Sequence, residues 1–318
     1  YNESQMWATN NLFEAFDKEN IAYIPLKGTI LKPLYPKSEM RSMGDVDILI
    51  KTNEHEKIKT VMQELGYSLK VESDHEFIWV KGNIHIELHK RLIPSYNKDY
   101  YAYYGDGWRL VKCGENSKYY MDDEDQMIYI FTHFAKHYRD AGIGIKHILD
   151  LWVYKSNVKG LNNDYIMVEL KKLQLDVFYK NVMDTLEVWF NNGNSTEQTD
   201  LITQIIFNSG VYGTYKAKVL SNAVKSSKNI GTAKKTKFIR VLIAIFLPYN
   251  QMVSQYKILK KIPILLPIMW MVRWFKAAFI KKNTIKRKTQ ELKIMSTKSI
   301  TNYQEALNFV GLDFNFKE

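Results

Sequence analysis

The run Asp45-Val46-Asp47-Ile48-Leu49-Ile50 constrains this chain more than any other stretch. It reads as an apolar strand that opens with two acids. Their spacing puts both side chains on one face of the strand. Two carboxylates held side by side are costly unless a proton or a cation lies between them. Mg²⁺ suits such a pair, because it takes hard oxygen ligands and shares them with phosphates. Upstream, Leu26-Lys27-Gly28-Thr29 reads as a strand end, a glycine turn and the start of a short helix, with Arg41 between the turn and the acids. Gly28 would let the backbone approach a phosphate, the helix behind it would aim N–H groups at the anion, and Thr29 would add a hydroxyl. Lys27 or Arg41 would neutralise phosphate oxygens, Arg41 with a bidentate fork. These residues imply metal-dependent phosphoryl or nucleotidyl transfer.

The surrounding pattern implies an α+β fold. Trp7, Leu12, Phe13 and Phe16 recur at helical spacing within residues 3–19. A short strand over 21–26, a helix over 29–35 stopped by Pro36, and a helix over 54–65 closed by Gly66 follow. Residues 67–71, 76–81 and 83–89 read as three strands, the last two joined at Gly82-Asn83, and a further strand is expected over 108–112. This is a mixed sheet carrying helices. From Asp122 the texture turns helical, over 123–139, 145–156, 164–191 and 197–208. An N-terminal mixed-sheet core with flanking helices, followed by an all-helical C-terminal domain, is therefore expected.

A third acid belongs with the first two. In Ile84-His85-Ile86-Glu87-Leu88-His89 the polar residues alternate with the apolar ones and share a face. If this strand lies beside the Asp45 strand, Glu87 completes a three-acid cluster, as a two-metal site would need.

With these pieces in place, the chain resembles the DNA polymerase β-type nucleotidyltransferases. Within them it is most similar to the uncharacterised bacterial family with a Leu-Lys-Gly turn, an Arg and Asp-h-Asp-h-h, where h is apolar. It is also similar to aminoglycoside and lincosamide nucleotidyltransferases. The elements that carry the resemblance are Lys27-Gly28, Arg41, Asp45-Val46-Asp47 and Glu87-Leu88-His89. Gly28-Thr29 stands where the superfamily usually has Gly-Ser or Gly-Gly, and the third acid is Glu instead of Asp. The resemblance implies a catalytic set of Asp45, Asp47 and Glu87 holding two Mg²⁺ ions, and a nucleotide held by Lys27, Gly28, Thr29, Arg41 and Lys146. The substrate is an NTP, with ATP expected, and the acceptor is an unknown hydroxyl of a small molecule, glycan or protein. His89, together with His133 and His137 from the helical domain, would contact the cleft. The last two form a His-x-x-x-His on one helix face, a spacing that can also bind zinc, but no Glu follows the first His as a metalloprotease requires.

Charge divides the chain. Residues 215–298 hold 20 Lys+Arg and one acid, Glu291, a net +19; the 25 Lys+Arg and 33 acids elsewhere leave −8. We expect a catalytic domain over 1–118, a helical domain over 119–221, a basic linker over 222–237, aromatic and basic helices over 238–282, and a basic tail over 283–318 ending in a short helix near 303–310. The 238–282 block is either helical core or a surface for anionic membranes, with Trp270 and Trp274 at headgroup level. Pro248, Pro263 and Pro267 break its apolar runs before they reach the ~20 residues of a spanning helix. No nucleic-acid motif accompanies the basic charge, which disfavours that partner. The single cysteine, Cys113, excludes an internal disulfide and a Cys-based zinc site. No basic-then-apolar leader is visible, and Tyr1 suggests a trimmed N-terminus. A cytoplasmic protein, peripheral at the inner membrane, is expected. The competing readings are a catalytically silent scaffold at that membrane and an antitoxin-like enzyme that modifies a protein.

Overall fold

The computed structural model describes residues 2–210, 213–230, 242–243, 245–280, 290–291 and 293–313. The chain divides into two compact units. The first holds residues 1–136 and 144–207, and the second holds 137–143 and 208–314.

The first unit is built on a five-stranded sheet. Its strands are β1 (Tyr23–Pro25), β2 (Val46–Ile50), β3 (Ser68–Glu72), β4 (Glu76–Lys81) and β5 (Ile84–His89), in the order β1-β2-β5-β4-β3. Only β2 and β5 run parallel; the other pairs are antiparallel. The sheet is thus mixed, as expected. Alternation sorts its faces. Val46, Ile48 and Ile50 of β2, Phe77 and Trp79 of β4, and Ile86 and Leu88 of β5 join one core with Leu12 and Phe16 of α1 (Asn2–Lys18) and Ile58, Val61 and Met62 of α3 (His55–Glu64). Asp47, Glu87 and His89 are therefore sent to the other face.

Several elements differ from expectation for local reasons. The helix after Gly28 is a single turn, α2 (Gly28–Leu31), which tightens into a 3₁₀ turn over Lys32–Leu34 at Pro33. The expected strand over 108–112 starts as a 3₁₀ turn, Trp108–Leu110, and pairs only over β6 (Val111–Cys113) with β7 (Tyr119–Met121). Residues 98–104 form a short helix, α4 (Lys98–Tyr104). The bulge in β3 leaves Lys70 as an extra residue between the Leu69–Trp79 and Val71–Ile78 pairs.

Helices α5 (Asp123–Ala141), α6 (Ile145–Asn157), α7 (Asn163–Lys172), α8 (Asp176–Phe190) and α9 (Glu197–Asn208) follow the sheet. The single helix expected over 164–191 is two, because Gln174 between them adopts φ 57°, a left-handed conformation that ends a helix.

In the second unit, helix α10 (Tyr215–Ile230) continues through residues 222–230, where a linker was expected. Its Val219, Leu220, Ala223 and Val224 are buried. The terminal helix runs from Thr297 to Phe309, longer than expected, and Tyr303 donates to the Arg139 carbonyl at 2.7 Å. The rest of the expected linker, 231–237, lies outside the described residues, as do 238–241, 281–289 and 314–318. Among the described residues no helix is long and apolar enough to cross a membrane.

Candidate active site

The polar face of the sheet carries a row of facing side chains. Across the parallel β2–β5 pair, Asp47 stands opposite Glu87 and Leu49 opposite His89. Across the antiparallel β4–β5 pair, Glu76 stands opposite His89. Asp45 precedes β2 and faces His85, Oδ1 to Nδ1, at 3.7 Å. Glu87 thus lies beside Asp47, while Asp45 stands at the rim, about half exposed and outside the tight cluster.

Asp47 is the hub. Its Oδ1 accepts from Lys27 Nζ at 2.7 Å and lies 2.8 Å from His89 Nε2. Burial alone would raise the Asp47 pKa, but Lys27 and His89 reverse this and hold it well below the usual carboxylate range. Burial would likewise lower Lys27, and Asp47 reverses that too. Glu87 lies farther from these groups, with its Oε2 3.6 Å from His89 Nε2, and Lys27 lowers it too weakly to offset burial. Burial and then the neighbouring Asp47 push its carboxyl up to about 7. His89 is lowered by burial and then by Lys27, against the pull of Asp47.

The glycine turn differs from a bare phosphate cradle. Lys27 itself adopts φ 46°, a strained conformation for a side-chain-bearing residue, and its ammonium turns back onto Asp47. The Thr29 and Ile30 amides already donate to the Leu26 and Lys27 carbonyls. The space above Gly28 is filled: a Cβ there would meet Met43 Sδ at 2.5 Å and Arg41 Nη1 at 2.8 Å. Gly28 is small because Arg41 and Met43 pass over it.

Arg41 is buried. Its Nε and Nη2 grip Asp150 of α6 at 2.7 and 2.9 Å, and the Tyr35 hydroxyl donates to the same carboxylate at 2.7 Å. The fork expected for phosphate is thus held by a carboxylate, while Nη1 faces Gly28. At the start of α6, the Lys146 pKa is lowered by burial and then by Arg41, while Asp150, Asp47 and Asp45 pull it upward. His133 stacks 6.3 Å from His147, whose pKa is pushed down to about 4 by burial and then by Lys146. His137 falls in the second unit.

Among the described residues, two groups of side chains could hold a metal ion: Asp47, Glu87 and His89, and also His75, Glu76 and His89, each with ligand atoms within 4.8 Å of one another. The first offers two carboxylates and fits a hard cation, which would relieve the crowding that raises Glu87. The second is richer in nitrogen and fits a softer ion better. Sequence reading missed this second group. His75 precedes β4 in a loop, and only the β4–β5 register reveals that Glu76 meets His89. It also missed Asp150, whose partner lies 109 residues away.

No curated protein matches the chain. It is similar to two solved structures of the antibiotic-resistance factor ANT(2'')-Ia. The solution structure is 12% identical and covers 60% of this chain and 100% of the other, with a TM-score of 0.41. The crystal structure in complex with adenylyl-2''-tobramycin is 12% identical and covers 54% of this chain and 97% of the other, with a TM-score of 0.38. The family pattern described as "Uncharacterised nucleotidyltransferase" matches residues 1–191, more than half of the 318. A sheet that sets Asp47 against Glu87 lies within that match, and the chain belongs to this uncharacterised nucleotidyltransferase family.

Proposed function

We propose that the protein is a Mg²⁺-dependent nucleotidyltransferase that moves a nucleoside monophosphate from an NTP to an acceptor hydroxyl. The observation that carries this reading is the direct pairing of Asp47 with Glu87 across β2 and β5. Asp47 and Glu87 would hold the ion, with Asp45 at the rim as a further ligand. When bound, Mg²⁺ supplies charge neutralisation on the triphosphate. Lys27 holds Asp47 ionised in the absence of substrate, and can turn its ammonium to a phosphate oxygen. With Glu87 among the ion's ligands, the acceptor hydroxyl would give its proton to water or to the departing pyrophosphate. The acceptor oxygen then attacks the α-phosphorus in line. The new P–O bond forms as the bond to pyrophosphate breaks, and the proton leaves with solvent or pyrophosphate. Lys146 and the free edge of Arg41 add positive charge nearby. Transfer of label from α-³²P-labelled NTPs, in a survey of hydroxyl acceptors, tests the reading. Asp47→Asn and Asp45→Asn should each reduce it by orders of magnitude, and undiminished transfer would sink the assignment.

A second reading concerns the second unit's surface. Ile264, Ile268, Met271 and Phe275 are more than half exposed on and just before helix Leu266–Ile280, and no acid occurs between residues 242 and 280. Lys257, Lys260, Lys261 and Lys276 complement an anionic lipid surface, on which such a helix would lie flat. Flotation with anionic vesicles tests this: a full chain that stays with the unbound fraction rules the docking out.

A further inference from the structure

A cavity of about 620 Å³ lies at the β1 edge, behind the glycine turn. None of Asp45, Asp47, Glu87 or His89 lines it. Its walls come from α1, the turn after α2, β7 and the α5 and α6 helices, with Phe13, Leu34 and Tyr119 among the apolar ones. Its size is that of a small-ligand site, and its lining is mostly apolar with a few polar groups, as such sites are.

The polar groups are the informative ones. Lys32 lines the cavity and is 5% exposed, and among the described residues the charges acting on its ammonium are Arg41 and Glu39. Thr29 and Gln126 line it too, and among the described residues the Thr29 hydroxyl and the Gln126 amide nitrogen are buried without a hydrogen-bond partner. Buried polar groups are nearly always satisfied, and one left unpaired costs its full desolvation. Two such groups, Thr29 and Gln126, and the Lys32 ammonium stand around one cavity, and all three are able to donate. They call for an acceptor-rich, negatively charged group. Asp123 is the acid on the wall; the Tyr154 hydroxyl is 3.1 Å from its carbonyl oxygen and 3.4 Å from its carboxylate Oδ1, both acceptors. Lys118 adds a second cation at the wall. Burial and then Arg41 lower the Lys32 pKa against the pull of Glu39, and an incoming anion would raise it.

We propose that this cavity binds a small organic anion: an apolar body ending in a carboxylate or phosphate that Lys32, Thr29 and Gln126 hold. The site is separate from the proposed transfer chemistry and stands whether or not the protein transfers nucleotides.

The test uses the full chain labelled with ¹³C at its methionine methyls, titrated with octanoate, octyl phosphate and 1-octanol. Met6, Met43 and Met121 line the cavity, whereas Met269 and Met271 lie on the exposed helix Leu266–Ile280. One or both anions should shift the first three methyls and leave the last two still, and the tighter of the two identifies the headgroup. Octanol should bind about tenfold more weakly or worse. Lys32→Met should weaken the anions by a similar factor and leave octanol unchanged, and Lys32→Arg should restore them. The idea is overturned if the three methyls do not respond, if octanol matches the anions, or if Lys32→Met binds them as well as wild type. The methyl map of the wild-type chain decides the matter even if the variant fails to fold.

Discussion

Arg41 clasps Asp150 through two hydrogen bonds, 2.7 and 2.9 Å long, and both side chains are about 95% buried. A residue of the loop before β2 is thereby locked to α6. Removing either partner strands the other charge in the interior. Arg41→Met or Asp150→Leu should each cost about 3–5 kcal/mol in urea unfolding. The double variant should lose much less than the sum, because no orphan charge remains. Tyr35→Phe should cost about 1 kcal/mol, the worth of its one hydrogen bond to Asp150.

Glu87 gives the protein a pH signature. Its folded pKa is about 7 against an ordinary 4.5, so the folded state holds its proton longer than the unfolded chain does. Between those values stability falls as pH rises. Glu87→Gln should therefore gain on wild type from pH 5 to pH 8, by about 3 kcal/mol at most. Asp47 does not blur this window, because its carboxyl is held below the usual range and its contribution is lost only in stronger acid. His75 and His89, held below their ordinary 6.5 chiefly by burial, slope the other way in both proteins, so urea midpoints of the pair isolate Glu87.

The same proton should report on the cation. Mg²⁺ that binds between Asp47 and Glu87 must displace it, releasing about half a proton per ion at pH 7. Calorimetric titrations in buffers of different ionisation enthalpy measure that number directly. Glu87→Gln should release none, and neither should wild type near pH 9.

Gly28 is set by packing. A methyl there would meet Met43 and the clamped Arg41, so Gly28→Ala should cost about 1–3 kcal/mol. Adding Met43→Ala should recover part of that loss. Strictly additive thermal-unfolding losses would mean that the crowding lies elsewhere.

The sequence declared the strands well where period two was unbroken. Residues 84–89 alternate cleanly, so the shared face of Glu87 and His89 was readable, and β4 and β5 appeared within a residue of their ends. What alternation cannot declare is the partner across the ladder. The Asp47–Glu87 pairing depends on β2 and β5 running parallel in one register, which is a property of the whole sheet. Lys27 and Arg41 read as phosphate ligands because a cation near a glycine turn looks free. Each is held by an acid distant in sequence, and only burial explains why. The left-handed Gln174 that splits the helix over 164–191 carries no glycine or proline to mark it.

The bulge at Lys70 has a consequence beyond geometry. β3 is an open margin of the sheet, largely exposed along its length, and an open margin can recruit a strand from a neighbouring molecule. The extra residue breaks the even spacing of its amides and carbonyls, and Lys70 and Glu72 bring charge to that margin. A foreign strand laid along it would lose register after two residues. The irregularity thus keeps copies of the chain from joining edge to edge, and removing it by deletion of Lys70 would be expected to promote aggregation.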